Sequence, residues 1–341
     1  MPDVTLSVAL SSYNAVGYLP LQIDSILTQT VLPQQIVFGD AGSTDGTVDV
    51  IADGVRRAEA LGIDCVVLPS ERLLVTPNMA RILAACSGDV VVACDHDDVC
   101  LPQRFEHVAE MFSADPPLQF VHCEAQVIDE HGAVTSESLF ATGSFTAGER
   151  DLYARGEAFR VLVRRFLAHG ATAAFRRSLF DLCPPIPAGG YYDSWYGLLG
   201  AAMPGGAALD ARPGLQYRVH QSNLGGGVHR RGLAEKTRML FAPGSDRNRR
   251  LLAQSEMLMT GLQAVRPHVA DWAFDLAQER LRHQRVRSGL PVNRLRRAPV
   301  VLREARTGAY GRVSRGRKDI LLDLVQPLRS VRPAEVAASV A

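Results

Sequence analysis

Two carboxylates separated by one residue, Asp95 and Asp97, follow directly on the apolar run Val90-Val-Val-Ala93, within Asp95-His-Asp-Asp98. At the end of a buried strand such a pair projects into one cleft, where a hard cation relieves the repulsion and bridges to phosphate oxygens. The turn therefore has the donor set of a metal and diphosphate site. Acidic turns also cap helices, and a helix can begin near Leu101. A second polar cluster, Gly39-Asp-Ala-Gly-Ser-Thr-Asp45-Gly-Thr47, again follows an apolar run. There Asp40 can accept hydrogen bonds from the N–H groups of a base or from ribose hydroxyls, and Gly42 permits a tight turn. Ser43, Thr44 or Asp45 equally suits a helix N-cap. A third cluster, Ser11-Ser-Tyr-Asn14, closes the first apolar run of the chain.

The elements that must hold these residues alternate. Leu6–Leu10 reads as a buried strand, and Leu19, Ile23, Ile26 and Leu27 recur at helical spacing before a second strand at Gln35–Phe38. The pattern repeats with a helix over Val48–Leu61, a strand over Asp64–Leu68, a helix over Asn78–Cys86 and a strand over Asp89–Cys94. Strands alternating with helices of this length predict a mainly parallel sheet flanked by helices. Beyond Pro102 we expect a helix to Phe112, a strand over Gln119–Ile128 ending in a hairpin turn at Asp129–Gly132, helices over Gly156–Phe166 and Asp193–Met203, and strands over Ala171–Phe175 and Leu215–Val219.

Of the 341 residues 47% are hydrophobic, which suffices for a packed core of one large domain with an appendage, or of two domains. The net charge of +1 conceals a division: residues 1–149 carry 21 acidic and 5 basic side chains, whereas residues 230–341 carry 23 basic and 10 acidic. The acidic front half argues against a nucleic-acid groove there. The basic tail lacks the interleaved aromatics of a base-stacking surface, so nucleic acid is not an expected partner; its excess charge, with Arg280, Arg282, Arg285 and Arg287 beside Leu281 and Val286, leaves contact with a membrane surface open. We place the domain boundary at 228/229, with an Arg-rich helical region after it. The first basic residue is Arg56 and no apolar stretch is long enough to span a bilayer, so the expected location is cytoplasmic, at most peripheral at the inner face of the cell membrane. Six cysteines without a CxxC pair read as reduced core residues.

Taken together, Ser11 through Asn14, Asp40 through Thr47 and the Asp95–Asp98 turn resemble the family 2 glycosyltransferases of GT-A fold. Asp95-His-Asp-Asp-Val-Cys-Leu-Pro-Gln-Arg104, with His169-Gly-Ala-Thr172, Asp193-Ser-Trp195 and Tyr217-Arg-Val-His-Gln-Ser-Asn223, is similar to a bacterial subgroup that includes rhamnosyltransferase-like enzymes. The resemblance covers the first two thirds of the chain. It implies an α/β fold with a Rossmann-like sheet, a nucleotide-sugar-binding and catalytic domain over 1–228, and a helical C-terminal appendage. It places Ser11, Tyr13 and Asp40 against the nucleoside, Asp95 at the ribose, Asp97 on a Mg²⁺ or Mn²⁺ ion, His220 near the diphosphate, and Asp193 as catalytic base. Two departures stand out: Ala41 replaces the second acidic residue before Gly-Ser, and His96 lies between the paired aspartates where the subgroup often has Gln. From local sequence alone Asp193 fits the N-cap of a helix over Trp195–Met203, and Trp195 fits a core anchor better than a sugar platform.

The activity so implied is inverting transfer of a sugar from a nucleoside diphosphate-sugar to the hydroxyl of a saccharide or lipid-linked acceptor, as in cell-surface polysaccharide synthesis. Alternatives are a metal-dependent nucleotidyltransferase, which usually shows a basic Gly-rich loop near its start where this N-terminal half has no lysine, and a catalytically silent nucleotide-sugar-binding homologue, which Ala41 makes conceivable.

Overall fold

The computed structural model describes residues 3–143, 145–220 and 244–328. They fall into two compact units. One takes in the described residues up to Ala158, Leu167–Ile186 and those from 191 to 220; the other is formed by Phe159–Phe166, Pro187–Gly190 and the described residues from 244 onward. The second unit thus draws on two segments from the first two thirds of the chain. The expected boundary at 228/229 lies outside the described residues, as does Asn223.

In the first unit β1 (Leu6–Ser12), β2 (Gln35–Asp40), β3 (Asp64–Leu68) and β4 (Val90–Asp95) alternate with α1 (Leu19–Leu27), α2 (Thr47–Ala60) and α3 (Val75–Ala85). β1 is buried along its whole length, as a parallel strand covered on both faces must be, which is why it reads as a nearly continuous apolar run. β5 (Val99–Cys100), α4 (Arg104–Ala114), β6 (Phe120–Ile128), β7 (Val134–Ser136), α5 (Leu139–Thr142), α6 (Ala147–Ala154) and α7 (Ala158–Leu162) follow. Then come a 3-10 turn at Gly170–Thr172, β8 (Ala173–Arg176), α8 (Ser178–Leu182), α9 (Tyr192–Ala201) and β9 (Ala207–Arg218).

Among the described residues one sheet of nine strands has the order β3-β2-β1-β4-β8-β6-β9-β5, with β7 paired to β6. β3, β2, β1 and β4 are mutually parallel, β8 runs antiparallel between β4 and β6, and β9 is parallel to β6. Leu6, Val8, Leu10, Phe38, Val90 and Val92 pack with Leu19, Ile23 and Ile26 of α1 and Phe105, Val108 and Phe112 of α4 into the main core. The chain leaves β1 toward β2 on one side and returns to β4 on the other, so the β1/β4 junction is a topological switch point, where the C-terminal strand edges open a crevice.

Three expectations are revised. Of the helix expected over Gly156–Phe166 only α7 forms, and Gly156, with a left-handed φ of 73°, separates it from the preceding α6. α3 starts at Val75, three residues before Asn78. β9 starts at Ala207 rather than Leu215, its early half hidden in the sequence by Asp210 and Pro213, where its register against β6 shifts.

The second unit contains α10 (Gly244–Ala264), α11 (Asp271–Ser288), α12 (Arg294–Arg306), α13 (Ala309–Val313) and α14 (Arg317–Val325). The arginines of α11 do not form the expected basic face. Arg287 is buried and donates to Asp323 at 2.6 Å and to Asp319 at 3.4 Å, Arg280 is buried with Nε on Ser255, and Arg282 forks onto Glu304. Tyr310 completes this network with a 2.8 Å hydrogen bond to Asp323. Buried guanidinium groups need such partners, so Arg280 and Arg287 spend their charge inside the unit, whereas Arg282 and Arg285 stay exposed. No helix among the described residues is long and apolar enough to cross a membrane. The six cysteines are free, five of them buried.

Candidate active site at the strand switch point

Register places the polar strand ends side by side. Ser12 lies opposite Asp40 across β1 and β2, and Ser11 opposite Asp95 across β1 and β4. Four residues from three strands thus reach the crevice without any loop having to carry them.

Asp40 is almost fully buried, and its carboxylate is engaged by its own surroundings. Oδ2 accepts from the backbone N–H groups of Gly42 (3.0 Å) and Ser43 (2.8 Å) and from Ser70 Oγ (2.5 Å), while Oδ1 accepts from Ser43 Oγ (2.5 Å) and Ser12 Oγ (3.2 Å). Burial opposes ionisation, but these bonds outweigh it and hold the carboxyl below its ordinary range. Five donors exceed the roughly four lone-pair directions of a carboxylate. Asp40 therefore shapes the loop first, and a base could reach its oxygens only by displacing one of these donors. Gly42 makes the turn possible, with φ of 84° and only 2.9 Å between an ideal Cβ and Arg72 Cα. The β1–α1 loop is stitched to it: Asn14 N donates to Ser43 Oγ and Thr44 N to Asn14 Oδ1. Beside these contacts Tyr13 remains 47% exposed, leaving its ring face accessible to a planar ligand.

Asn78 and Arg81, which in sequence look like ordinary residues of a helix start, buttress the same pocket. Asn78 Nδ2 donates to Ser11 Oγ (2.9 Å) and Gly39 O (2.8 Å), and Arg81 donates to the carbonyls of Asp40 (2.7 Å) and Pro69 (2.6 Å). No local signal marks these pairings, since the partners lie 12 to 67 residues away.

Asp95, Asp97 and Asp98 each offer an oxygen within 4.8 Å of the others. Burial, then the charges of Asp97 and Asp193, push the Asp95 carboxyl up to about 7, and burial with the two neighbouring aspartates pushes Asp98 upward as well. Asp98 Oδ1 accepts from Arg218 N (2.8 Å), whereas its buried Oδ2 has no partner among the described residues. Crowded oxygens with raised proton affinity and an unsatisfied buried lone pair fit a hard divalent cation. His220, just past β9, bonds through Nε2 to Asp97 Oδ2 at 2.8 Å and stacks on Tyr18 at 5.5 Å. The buried Arg218 donates to Asp97 O (2.7 Å) and Asp129 O (3.1 Å) and lies over Tyr18, tying the acidic turn to the β6–β7 hairpin. Beneath the turn, the buried Arg104 reaches Ala93 O (2.9 Å), Ala171 O (2.6 Å) and Cys100 Sγ (3.3 Å), and its charge is felt by Asp95 and Asp98.

Asp193 is not a helix cap. α9 begins at Tyr192 with Tyr191 in the cap position, and Asp193 lies in the first turn, half-buried, accepting from Ser194 N. Burial is the main cause that pushes its carboxyl up to about 6. Neighbouring Tyr192 packs its ring on Gly170, where any Cβ would meet the hydroxyl at 2.1 Å. Trp195 is buried and donates to Pro184 O (3.0 Å), a core anchor. The seven residues singled out in the sequence thus all lie in the first unit, and Asp95 senses the charges of both Asp97 and Asp193.

Comparison with known proteins adds to this geometry. The chain is 32% identical over 117 residues to an uncharacterized glycosyltransferase, alr2836, of Nostoc sp., covering 34% of this chain and 35% of that protein. It is 30% identical over 132 residues to the amylovoran biosynthesis glycosyltransferase AmsE of Erwinia amylovora, covering 37% and 47%. The chain therefore spans between about a third and a half of the length of these relatives. In fold it is similar to S. aureus TarS 1-349, solved in complex with UDP-GlcNAc, with a TM-score of 0.55 at 12% identity over 94% of this chain and 89% of that one. The pattern of the family described as Glycosyl transferase family 2 matches residues 7–182, from β1 to the end of α8 and so across Ser11, Tyr13, Asp40, Asp95 and Asp97, though short of Asp193 and His220. With more than half of its length inside that pattern, the chain belongs to glycosyl transferase family 2.

Proposed function

We propose that the protein transfers a hexosyl-type sugar from a nucleoside diphosphate-sugar to the hydroxyl of a saccharide or lipid-linked acceptor, with inversion at the anomeric carbon, in cell-surface glycan synthesis. The observation that supports the reading is an acidic cluster at the strand switch point whose Asp95 senses the charge of a further carboxylate, Asp193, itself raised in proton affinity toward neutrality. Asp97, with Asp95 and Asp98, would hold Mg²⁺ or Mn²⁺. When bound, the ion neutralises the charge that gathers on the departing diphosphate. His220 bonds to the Asp97 carboxylate and would orient it, and its imidazole would lie near the diphosphate. Ser11 and Tyr13 line the place of the nucleoside, and Asp40 keeps its loop in shape for it. Asp193 takes the acceptor proton, because an alcohol is a poor nucleophile until a base removes that proton in the transition state. One displacement supported by one base gives inversion without a covalent enzyme intermediate.

A thermal-shift screen of nucleoside diphosphates and nucleotide sugars with and without Mn²⁺, followed by donor turnover, tests the reading. A ligand at 100 times its Kd stabilises by about 2.7 kcal/mol. Stabilisation by one nucleotide that depends on Mn²⁺, together with release of that nucleotide from its sugar, is the expected result. Binding without any donor hydrolysis or transfer points to a silent homologue, and absence of any nucleotide effect refutes the proposal.

A further inference from the structure

The basic face that α11 lacks is found on α12. Leu295, Arg296, Pro299, Leu302, Arg303 and Arg306 are all exposed, and their spacing of three or four residues puts them on one side of the helix, opposite the buried Arg297, Val301 and Glu304; Val292, exposed too, lies just before the helix. Leu295 is 86% exposed and Leu302 50%, one above the other two turns apart. Arg296 and Arg303 run beside them, and Arg294 flanks the other side with its guanidinium on Val325 O. Glu304, the helix's single acid, is turned inward onto Arg282 and His283. Arg296, Arg303 and Arg306 make no ion pair among the described residues.

We infer that this face of α12 is a docking surface for an anionic lipid bilayer. Exposed leucines bordered by arginines, with no acid on the same side, match a headgroup region that is negative at the surface and apolar a few ångströms below. A soluble polyanion would satisfy the arginines but give the leucines nothing, and no aromatic stands on the helix for a base to stack on. The inference is independent of the catalytic reading, since it uses no residue of the first unit.

Flotation of the full chain with phosphatidylcholine vesicles, with and without phosphatidylglycerol, at low and moderate salt, tests it. Binding is expected only to the anionic vesicles and should weaken with salt. Replacing Arg296, Arg303 and Arg306 by Gln should lower partitioning roughly fivefold per residue. Leu295→Ser with Leu302→Ser should lower it on the order of tenfold or more. Replacing the same arginines by Lys should restore most of the binding, and Arg56→Gln, on α2, should leave it unchanged. Circular dichroism checks that each variant is folded. No binding, equal binding to neutral vesicles, or wild-type binding by both sets of variants overturns the inference. Loss with the arginine variants but not with the leucine variants also overturns it, and would mark a polyanion surface instead.

Discussion

Asp193→Asn separates a catalytic carboxylate from a structural one, because the two roles predict opposite changes in stability. The folded protein pushes this carboxyl from an ordinary value of 3.8 up to about 6, mainly by burial. A raised value means that the folded state holds the proton more tightly than the unfolded chain. The associated stability is fully present below pH 3.8 and is lost as pH rises through 6. Above that pH the buried charge costs on the order of 3 kcal/mol, at about 1.36 kcal/mol per pH unit. Asn has nearly the same shape, no charge, and a carbonyl oxygen that can still accept from Ser194 N. The variant should therefore melt several degrees higher than the parent at pH 7.5 and nearly with it at pH 4. If Asp193 is the base, the same variant should lose roughly a hundredfold or more in turnover while keeping its donor affinity. The parent's kcat/KM should fall on the acid side with a midpoint near pH 6, and that limb should vanish from the variant's residual rate. A lower melting temperature with turnover within tenfold of the parent would refute the reasoning, since loss of a helix-terminal contact costs only about 1 kcal/mol of stability.

The acidic cluster predicts a proton balance. With Asp95 held at about 7, Mn²⁺ addition near that pH should release protons, read as a buffer-dependent heat in calorimetry, and Asp97→Asn should weaken both metal and nucleoside diphosphate binding by at least tenfold. Arg218→Gln should cost about 3 to 5 kcal/mol, measured by denaturant unfolding, because buried carbonyls of the acidic turn and hairpin lose a charged donor. Gly42→Ala should cost at least about 1 to 2 kcal/mol and weaken nucleotide binding, as the left-handed turn under Asp40 must shift away from Arg72.

The sequence carried the parallel half of the fold because β1, β2 and β4 are buried on both faces and read as short continuous apolar runs, while the helices between them present one apolar stripe at a period of 3.6. Ser11, Asp40 and Asp95 were legible for the same reason, since each ends an apolar run. What escaped the sequence depends on distance along the chain. Asn78 reaches Ser11, Arg218 reaches the acidic turn from 121 residues away, and Tyr192 meets Gly170 across the intervening β8 and α8. The placement of charge on the C-terminal helices escaped the sequence in a different way. An arginine count cannot tell a guanidinium buried on a carboxylate, as Arg287 is on Asp323, from one facing solvent, as Arg303 does.

Arg104 gives the acidic turn a further property. Its permanent positive charge, buried beneath the turn and felt by Asp95 and Asp98, would lower the cluster's attraction for a lone cation, so that an ion there would be held less firmly than by the carboxylates alone. A diphosphate would experience the reverse, because the same charge and the ion would both favour its arrival. Ion and nucleotide would then bind with positive coupling, each raising the affinity for the other by the same factor. If sugar transfer proceeds there as proposed, departure of the nucleotide would loosen the ion in equal measure, and the site would clear for the next donor without a separate device to expel the metal.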